Sequence, residues 1–336
     1  MAKPRERTFR PASKTVIVPP RRLTSDAPRV KRPAPSLLTT LATPDNVVRL
    51  DLPHGCFNAG IAAVPDSDEL ICVYRADEHS FVICTLDKDF NILPGRTPLG
   101  ITNCADPRLI WIGEELLMVY SSYDTGSYKN ECIRGAVVAK LGVVSPNVKP
   151  VVSFQKPEPF RISMPGDVRQ KNWTPFLLHN TIFLTASVKP HLIYELRGPG
   201  RFAQPCSESE WNSPWFSTEF FRGNTNPIQL DDGNFLGTFH TVQKDGKMHY
   251  YDNGLYVFEA KPPFKVVRCA IRTFLPAEAA VEPHFRKAGQ IKVCFPVSMV
   301  RRGPEEVLIS YGDNDSSVKI LKTTVADLLG TTVELY

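Results

Sequence analysis

FNAGIAAVPDSDELICVYR (57–75), ADPRLIWIGEELLMVYSS (105–122), NWTPFLLHNTIFLTAS (172–187), NTNPIQLDDGNFLGTFH (224–240) and FPVSMVRRGPEEVLISYGDND (295–315) share one layout. A strand opens near Asn or Asp beside a small residue or Pro, a polar turn follows, and an apolar strand ends on a polar residue. The second strands begin at Leu70, Leu116, Ile182, Phe235 and Val307, at intervals of 46, 66, 53 and 72 residues. The shorter intervals suit a four-stranded blade of about 40–50 residues. The longer ones leave room for insertions, through GPGRFAQPCSESEWNSPWF within 188–222 and TFLPAEAAVEP at 273–283. Hairpins are common, so the repeat rests on shared turn position, strand length and polar ends. It predicts an all-β chain folded as a five-bladed β-propeller, whose polar strand ends gather round a central funnel.

Working outward, the rest of the 336 residues agrees. Apolar residues come in short runs punctuated by Gly, Asn, Asp and Pro, and 3.6-residue periodicity is scarce. VADLLG (325–330) reads as a short terminal helix or turn. No apolar run reaches the about 18 residues of a membrane span. Residues 1–35 differ. They carry ten Lys or Arg against Glu6 and Asp26, a charge of +8 where the whole chain has +5, so the remainder carries −3. With seven prolines in this stretch, it reads as a disordered basic arm ahead of a propeller domain over 36–336. Contact of the arm with a polyanion or a membrane surface is the rival reading; nucleic acid is not expected as a partner. Eight cysteines show no paired or metal-type spacing. Free buried thiols in a reducing compartment account for them, which points to a cytoplasmic protein with no metal and no cofactor.

No phosphate loop, nucleophile elbow or zinc motif is present, so candidate chemistry lies at the strand ends. Asp106 precedes Pro107, which favours an extended backbone there. With Trp111 and Tyr120 flanking it, the carboxyl suits a general acid; Asp-Pro is equally an ordinary turn. Arg75, Lys171 and His240 offer positive charge beside the Tyr251 hydroxyl, a combination that holds phosphate, although each alone reads as a surface ion-pair partner. Asp313 and Asp315 of YGDND suit sugar hydroxyls, or serve as turn residues. Asn58, Arg108, Asn172 and His191 complete the sugar-binding candidates.

Taken in order, FNAG…VYR, ADPRL, KNW, FHT, Y-x-x-G and FP…SYGDND resemble motifs of glycoside hydrolase family 130. They also resemble glycosyltransferase family 108, the related mannosyltransferase/phosphorylases, over roughly residues 50–325. The resemblance implies Asp106 as proton donor, Asn58 and Arg75 from the first blade, Lys171, His240 and Tyr251 at phosphate, and Asp315 at the sugar. Ala105, Asp313 and Asn314 depart from the family pattern, and RGNTNPI matches it loosely, which tilts the reading toward the transferase-like branch.

The resemblance implies inverting mannosyl transfer between β-mannosides and phosphate. The expected partners are inorganic phosphate or mannose 1-phosphate and a mannose or oligomannoside acceptor, with GDP-mannose as another donor. Inverting hydrolysis needs a second carboxylate to activate water, whereas phosphate is already a nucleophile. The alternatives are a β-mannoside hydrolase, with Asp313, Asp315 or Glu282 as base, and a non-catalytic glycan-binding propeller.

Overall fold

The computed structural model describes residues 40–335 other than 78, 124–130, 143–149, 163–170, 199–201, 214–215, 217–220, 247 and 285–290. The expected basic arm of residues 1–35 lies outside them. After β1 (Val47–Arg49) the strands form five antiparallel meanders. The first is β2 (Phe57–Ala63), β3 (Leu70–Arg75), β4 (Ser80–Leu86) and β5 (Thr97–Thr102). The second is β6 (Cys104–Ile112), β7 (Glu115–Tyr123) and β8 (Glu131–Leu141), edged by β9 (Val152–Phe154) and β10 (Phe160–Arg161). The third is β11 (Thr174–Leu178), β12 (Thr181–Ser187), β13 (His191–Arg197) and β14 (Phe202–Ser209). Residues 191–209, expected as part of an insertion, are therefore two strands of this sheet.

The fourth comprises β15 (Arg222–Gly223), β16 (Ile228–Gln229), β17 (Phe235–Asp245), β18 (Met248–Phe258) and β19 (Val266–Ala270). The fifth is β20 (Ile291–Arg302), β21 (Glu306–Asp313) and β22 (Ser317–Thr324), followed by α1 (Val325–Leu329) and β23 (Thr332–Glu334). Three residues of β18 pair in parallel with β20, which joins the last two meanders into one sheet. The expected terminal helix is α1, capped where Thr324 accepts from the Asp327 amide. No described helix is long and apolar enough to cross a membrane.

Strands such as Leu70–Arg75 are buried along their whole length, because each meander packs on both faces. A strand covered on two faces reads as a continuous apolar run rather than an alternating one. Ile71, Val73 and Ile83 of the first unit meet Leu109, Leu116 and Met118 of the second. Leu117, Val119 and Ile133 of the second meet Trp173 and Leu184 of the third. A larger, Phe-rich layer joins the third, fourth and fifth, and Ile61 and Cys72 pack against Leu308 and Ile320 to bring the fifth back to the first. The first strands of the units face inward beside one another, β2 against β6 and β20, and β6 against β11. Gly60 permits this crowding, since a Cβ there would lie 2.3 Å from the Pro107 carbonyl oxygen.

Candidate active site

Where the inner strands begin, three units place an Asn or Asp in the left-handed backbone region: Asn58 at φ 49°, Asp106 at φ 55° and Asn172 at φ 60°. These side chains tolerate that conformation better than most. The ladder slips its register between Phe57 and Gly60 and between Ala105 and Arg108, and such bulges re-aim side chains. The extended backbone expected for Asp106 before Pro107 does not form. A left-handed residue ahead of proline is strained, and strain of this kind gathers at functional sites. Its result is direct: Asn58 Nδ2 donates to Asp106 Oδ1 at 3.0 Å.

Trp111 and Tyr120 do not flank that carboxyl. The Trp111 indole donates to the Ala63 carbonyl at 2.7 Å, five residues further along β6. Tyr120 stands edge-on to Phe81 in the apolar layer between the first two units.

Cations collect around His240. Arg108 is 1% exposed. Its Nε donates to the Asn224 carbonyl and its Nη1 to the Asp106 carbonyl at 2.9 Å, while Nη2 has no partner. Burial lowers this guanidinium to about 10, against the pull of the Asp106 charge. His240 lies within reach of the charges of Arg222, Lys171 and Arg108. It was expected as another cation, and here the structure corrects the sequence reading. Burial first, then those three charges, hold its pKa well below the ordinary value, so the ring is a neutral imidazole. It stacks on Tyr251 with centroids 5.5 Å apart and meets the Phe295 edge at 5.3 Å. The Tyr251 phenol is pushed up by burial and then by Asp315, with Asp106 adding to the shift and Arg222 opposing it. Asp106, Asp315, Arg222 and Tyr251 thus share one electrostatic neighbourhood.

Asp315 is half-buried, at φ 50°, and pairs with His284 Nε2 at 3.4 Å. Arg75, at the end of β3, lays its guanidinium 4.4 Å over the Phe57 ring beside Asn58. Asn172 is buried next to Lys171, with an unpartnered Oδ1.

Two expected sugar-binding residues stand elsewhere. His191 bonds the Phe264 carbonyl through Nδ1 at 2.8 Å and packs on Tyr256 and Phe258. Phe258 is seven residues along β18 from Tyr251, about 23 Å at strand rise, so His191 belongs to the apolar layer at the far end. Asp313 is fully buried and already committed. It accepts from Lys319 Nζ at 2.6 Å and from the Val281 and Glu282 amides at 3.1 and 3.3 Å. Glu282 pairs with Arg49 at 3.2 Å.

Residues missed in the sequence include Arg222, Asn224, Asn253, Phe295 and His284. Asn224 opens the fourth hairpin as Asn58 nearly opens the first, and that position was the available signal. Among the described residues no cluster of three or more His, Cys, Asp or Glu is arranged to hold a metal ion. Of the eight cysteines, all free, Cys206 alone is exposed.

The family model described as beta-1,4-mannooligosaccharide phosphorylase, of glycoside hydrolase family 130, matches residues 49–334. Among solved structures, the chain is similar to a beta-1,2-mannobiose phosphorylase from Listeria innocua, at 14% identity and TM-score 0.55, covering 88% of this chain and 97% of that one. It is similar to MPT-1, a GDP-Man-dependent mannosyltransferase from Leishmania mexicana, at 12% identity and TM-score 0.54, covering 82% and 89%. An alpha-L-arabinofuranosidase from Lactobacillus brevis gives 13% identity and TM-score 0.54, covering 82% and 92%. At such identities the likeness bears on the fold alone. No curated protein sequence matches the chain.

Proposed function

The chain belongs to glycoside hydrolase family 130, and from that membership we propose that it is an inverting mannoside phosphorylase. It would exchange a mannosyl group between a β-mannoside and phosphate at the funnel of a five-bladed propeller whose blades are the five meanders. One observation supports this most: the charges of Arg222, Lys171 and Arg108 reach His240, which stacks on Tyr251, and Tyr251 in turn feels Asp106, the residue that Asn58 holds. In the forward direction a phosphate oxygen held by Lys171, Arg222 and Tyr251 attacks the anomeric carbon. The bond to the leaving oxygen breaks, and that oxygen takes the proton of Asp106, directly or through a sugar hydroxyl. Reversed, mannose 1-phosphate donates and Asp106 is the base. Asn58, Arg75, Asn172 and Asp315 are proposed to bind the sugar.

Phosphorolysis is favoured over hydrolysis because the rival bases are engaged. Asp313 holds Lys319 and a loop, Glu282 pairs with Arg49, and Asp315 is assigned to the sugar. Hydrolysis by inversion would need one of them free to activate water. Buried thiols favour a cytoplasmic location for the domain spanning residues 36–336.

The test is β-mannoside cleavage with and without inorganic phosphate, and the reverse reaction from mannose 1-phosphate and, separately, GDP-mannose. The expected result is phosphate-dependent release of α-mannose 1-phosphate, with Asp106→Asn slower by about 10²–10⁴-fold. Equal cleavage without phosphate, or full activity in Asp106→Asn, overturns the assignment.

A further inference from the structure

Three buried side chains form a line ending at the proposed phosphate site. Asn253 Nδ2 lies 2.8 Å from the Leu275 carbonyl and 2.8 Å from the Cys294 carbonyl. Carbonyl oxygens only accept, so the amide nitrogen of Asn253 must face them, and its Oδ1 must face the other way. Asn224 Nδ2 donates to that Oδ1 at 2.8 Å. The opposite orientation of Asn224 would set two carbonyl oxygens against each other. Asn224 Oδ1 is therefore left to meet His240 Nδ1 in a short contact. An amide oxygen accepts, so Nδ1 carries the hydrogen. In a neutral imidazole, the lone pair then resides on Nε2.

Resting on the phosphorylase reading, we infer that Asn253 and Asn224 are positioning residues that fix His240 as the Nδ1–H tautomer. Nε2 then presents an acceptor, not a charge, to a protonated oxygen of the bound phosphate. The groups facing the ring fit that role. Arg222, Lys171 and Arg108 supply the positive charge that the anion needs. Tyr251 stacks on the ring and Phe295 meets it in an edge-to-face contact. A fourth cation would cost more in repulsion than it contributed. An acceptor among these donors matches monohydrogen phosphate, which still carries one hydroxyl, and discriminates against anions that carry none.

The experiment reads the ring directly. Nitrogen–proton correlation spectra of the full chain, with His240→Gln to assign the signal, should show His240 protonated on Nδ1 and bare on Nε2 at neutral pH. Asn253→Ala should mix the tautomers and raise the KM for phosphate about tenfold, with kcat changed less. Asn224→Asp keeps an acceptor for Nδ1–H, adds negative charge and gives up the donor to Asn253 Oδ1. It should retain the tautomer and move the acid limb of kcat/KM for phosphate to higher pH. An Nε2–H tautomer in the unsubstituted protein overturns the inference without any variant, and so does an unchanged His240 spectrum in Asn253→Ala. If the tautomer is as expected but no phosphate dependence exists, the phosphorylase reading falls and takes the phosphate acceptor role with it, while the asparagine relay stands.

Discussion

Gly312 carries a hydrogen where any other residue would place a Cβ 2.0 Å from Asn58 Oδ1, closer than two such atoms can stand. The amide of Asn58 occupies that space, and from there its nitrogen reaches Asp106. Gly312→Ala should push Asn58 aside, and with it the contact that orients the proposed acid. Displacements of about 1 Å can cost about 10²-fold in rate, so kcat/KM should fall by that order while the melting temperature changes little. A variant with wild-type kcat/KM would show that the Asn58–Asp106 contact is dispensable. His191 shows the opposite case, a polar residue whose consequence is stability. Burial lowers its pKa to about 4 from the ordinary 6.5, and the Phe264 carbonyl opposes that only in part. Between those values the unfolded chain binds a proton that the native chain does not. Native stability therefore falls as pH drops from 6.5 toward 4, by up to about 3 kcal/mol from this group. Urea unfolding at both ends of that window should show a smaller pH difference in His191→Gln than in the parent. An equal difference would mean that His191 is not the source.

The turn Asp313–Ser316 is the element whose sequence reading divided most sharply. YGDND reads as sugar-binding carboxylates or as turn chemistry, and the structure gives each acid a different partner. Asp313 clasps the Val281 and Glu282 amides, Asn314 Nδ2 donates to the Glu282 carbonyl, and Ser316 Oγ donates to the Pro283 carbonyl at 2.6 Å. The clasp delivers His284 to Asp315. The two departures from the family motif, Asp313 and Asn314, thus hold down a segment that hairpin periodicity does not reveal. Both acids sit two residues apart in one turn, and only the tertiary partner, Lys319 or His284, separates their roles. Asp313→Ala leaves the Lys319 ammonium, mostly buried, without its counter-ion. Breaking one side of such a pair costs about 3–5 kcal/mol. The expected result is a lower denaturation midpoint, with Asp313→Asn intermediate because its oxygen still accepts from the loop amides. A midpoint unchanged in both variants would show that the clasp contributes nothing.

Across the whole molecule, the five hairpins read from the sequence are successive strand pairs, one in each meander, because two-sided burial writes itself as apolar runs between polar turns. The order of the units was legible for the same reason. What was not legible depends on distance in space. No local pattern marks Asn253 and Asn224 as one line to His240, or shows that burial, with three cations beside it, leaves that histidine neutral. Closure is another non-local feature. β1 pairs with the outer strand of the last unit, Val48 opposite Ile320, while the Leu50 amide bonds the Val318 carbonyl at 3.0 Å. The chain's first described strand therefore covers the edge of its last sheet, and an uncovered edge is an invitation to intermolecular pairing. Leu50 is 3% exposed, in the layer between the first and fifth units, so Leu50→Ala should cost about 2–4 kcal/mol. Deleting residues 1–50 should cost at least as much, since it removes that side chain, the pairing and the edge cover together. It should also raise amide exchange at Ile320 and Lys322, whose amides face the N-terminal strand, above that at the β20–β21 pairing, which keeps both its neighbours. Unfolding midpoints and exchange rates matching the parent in both variants would mean that the fold holds without its N-terminal strand.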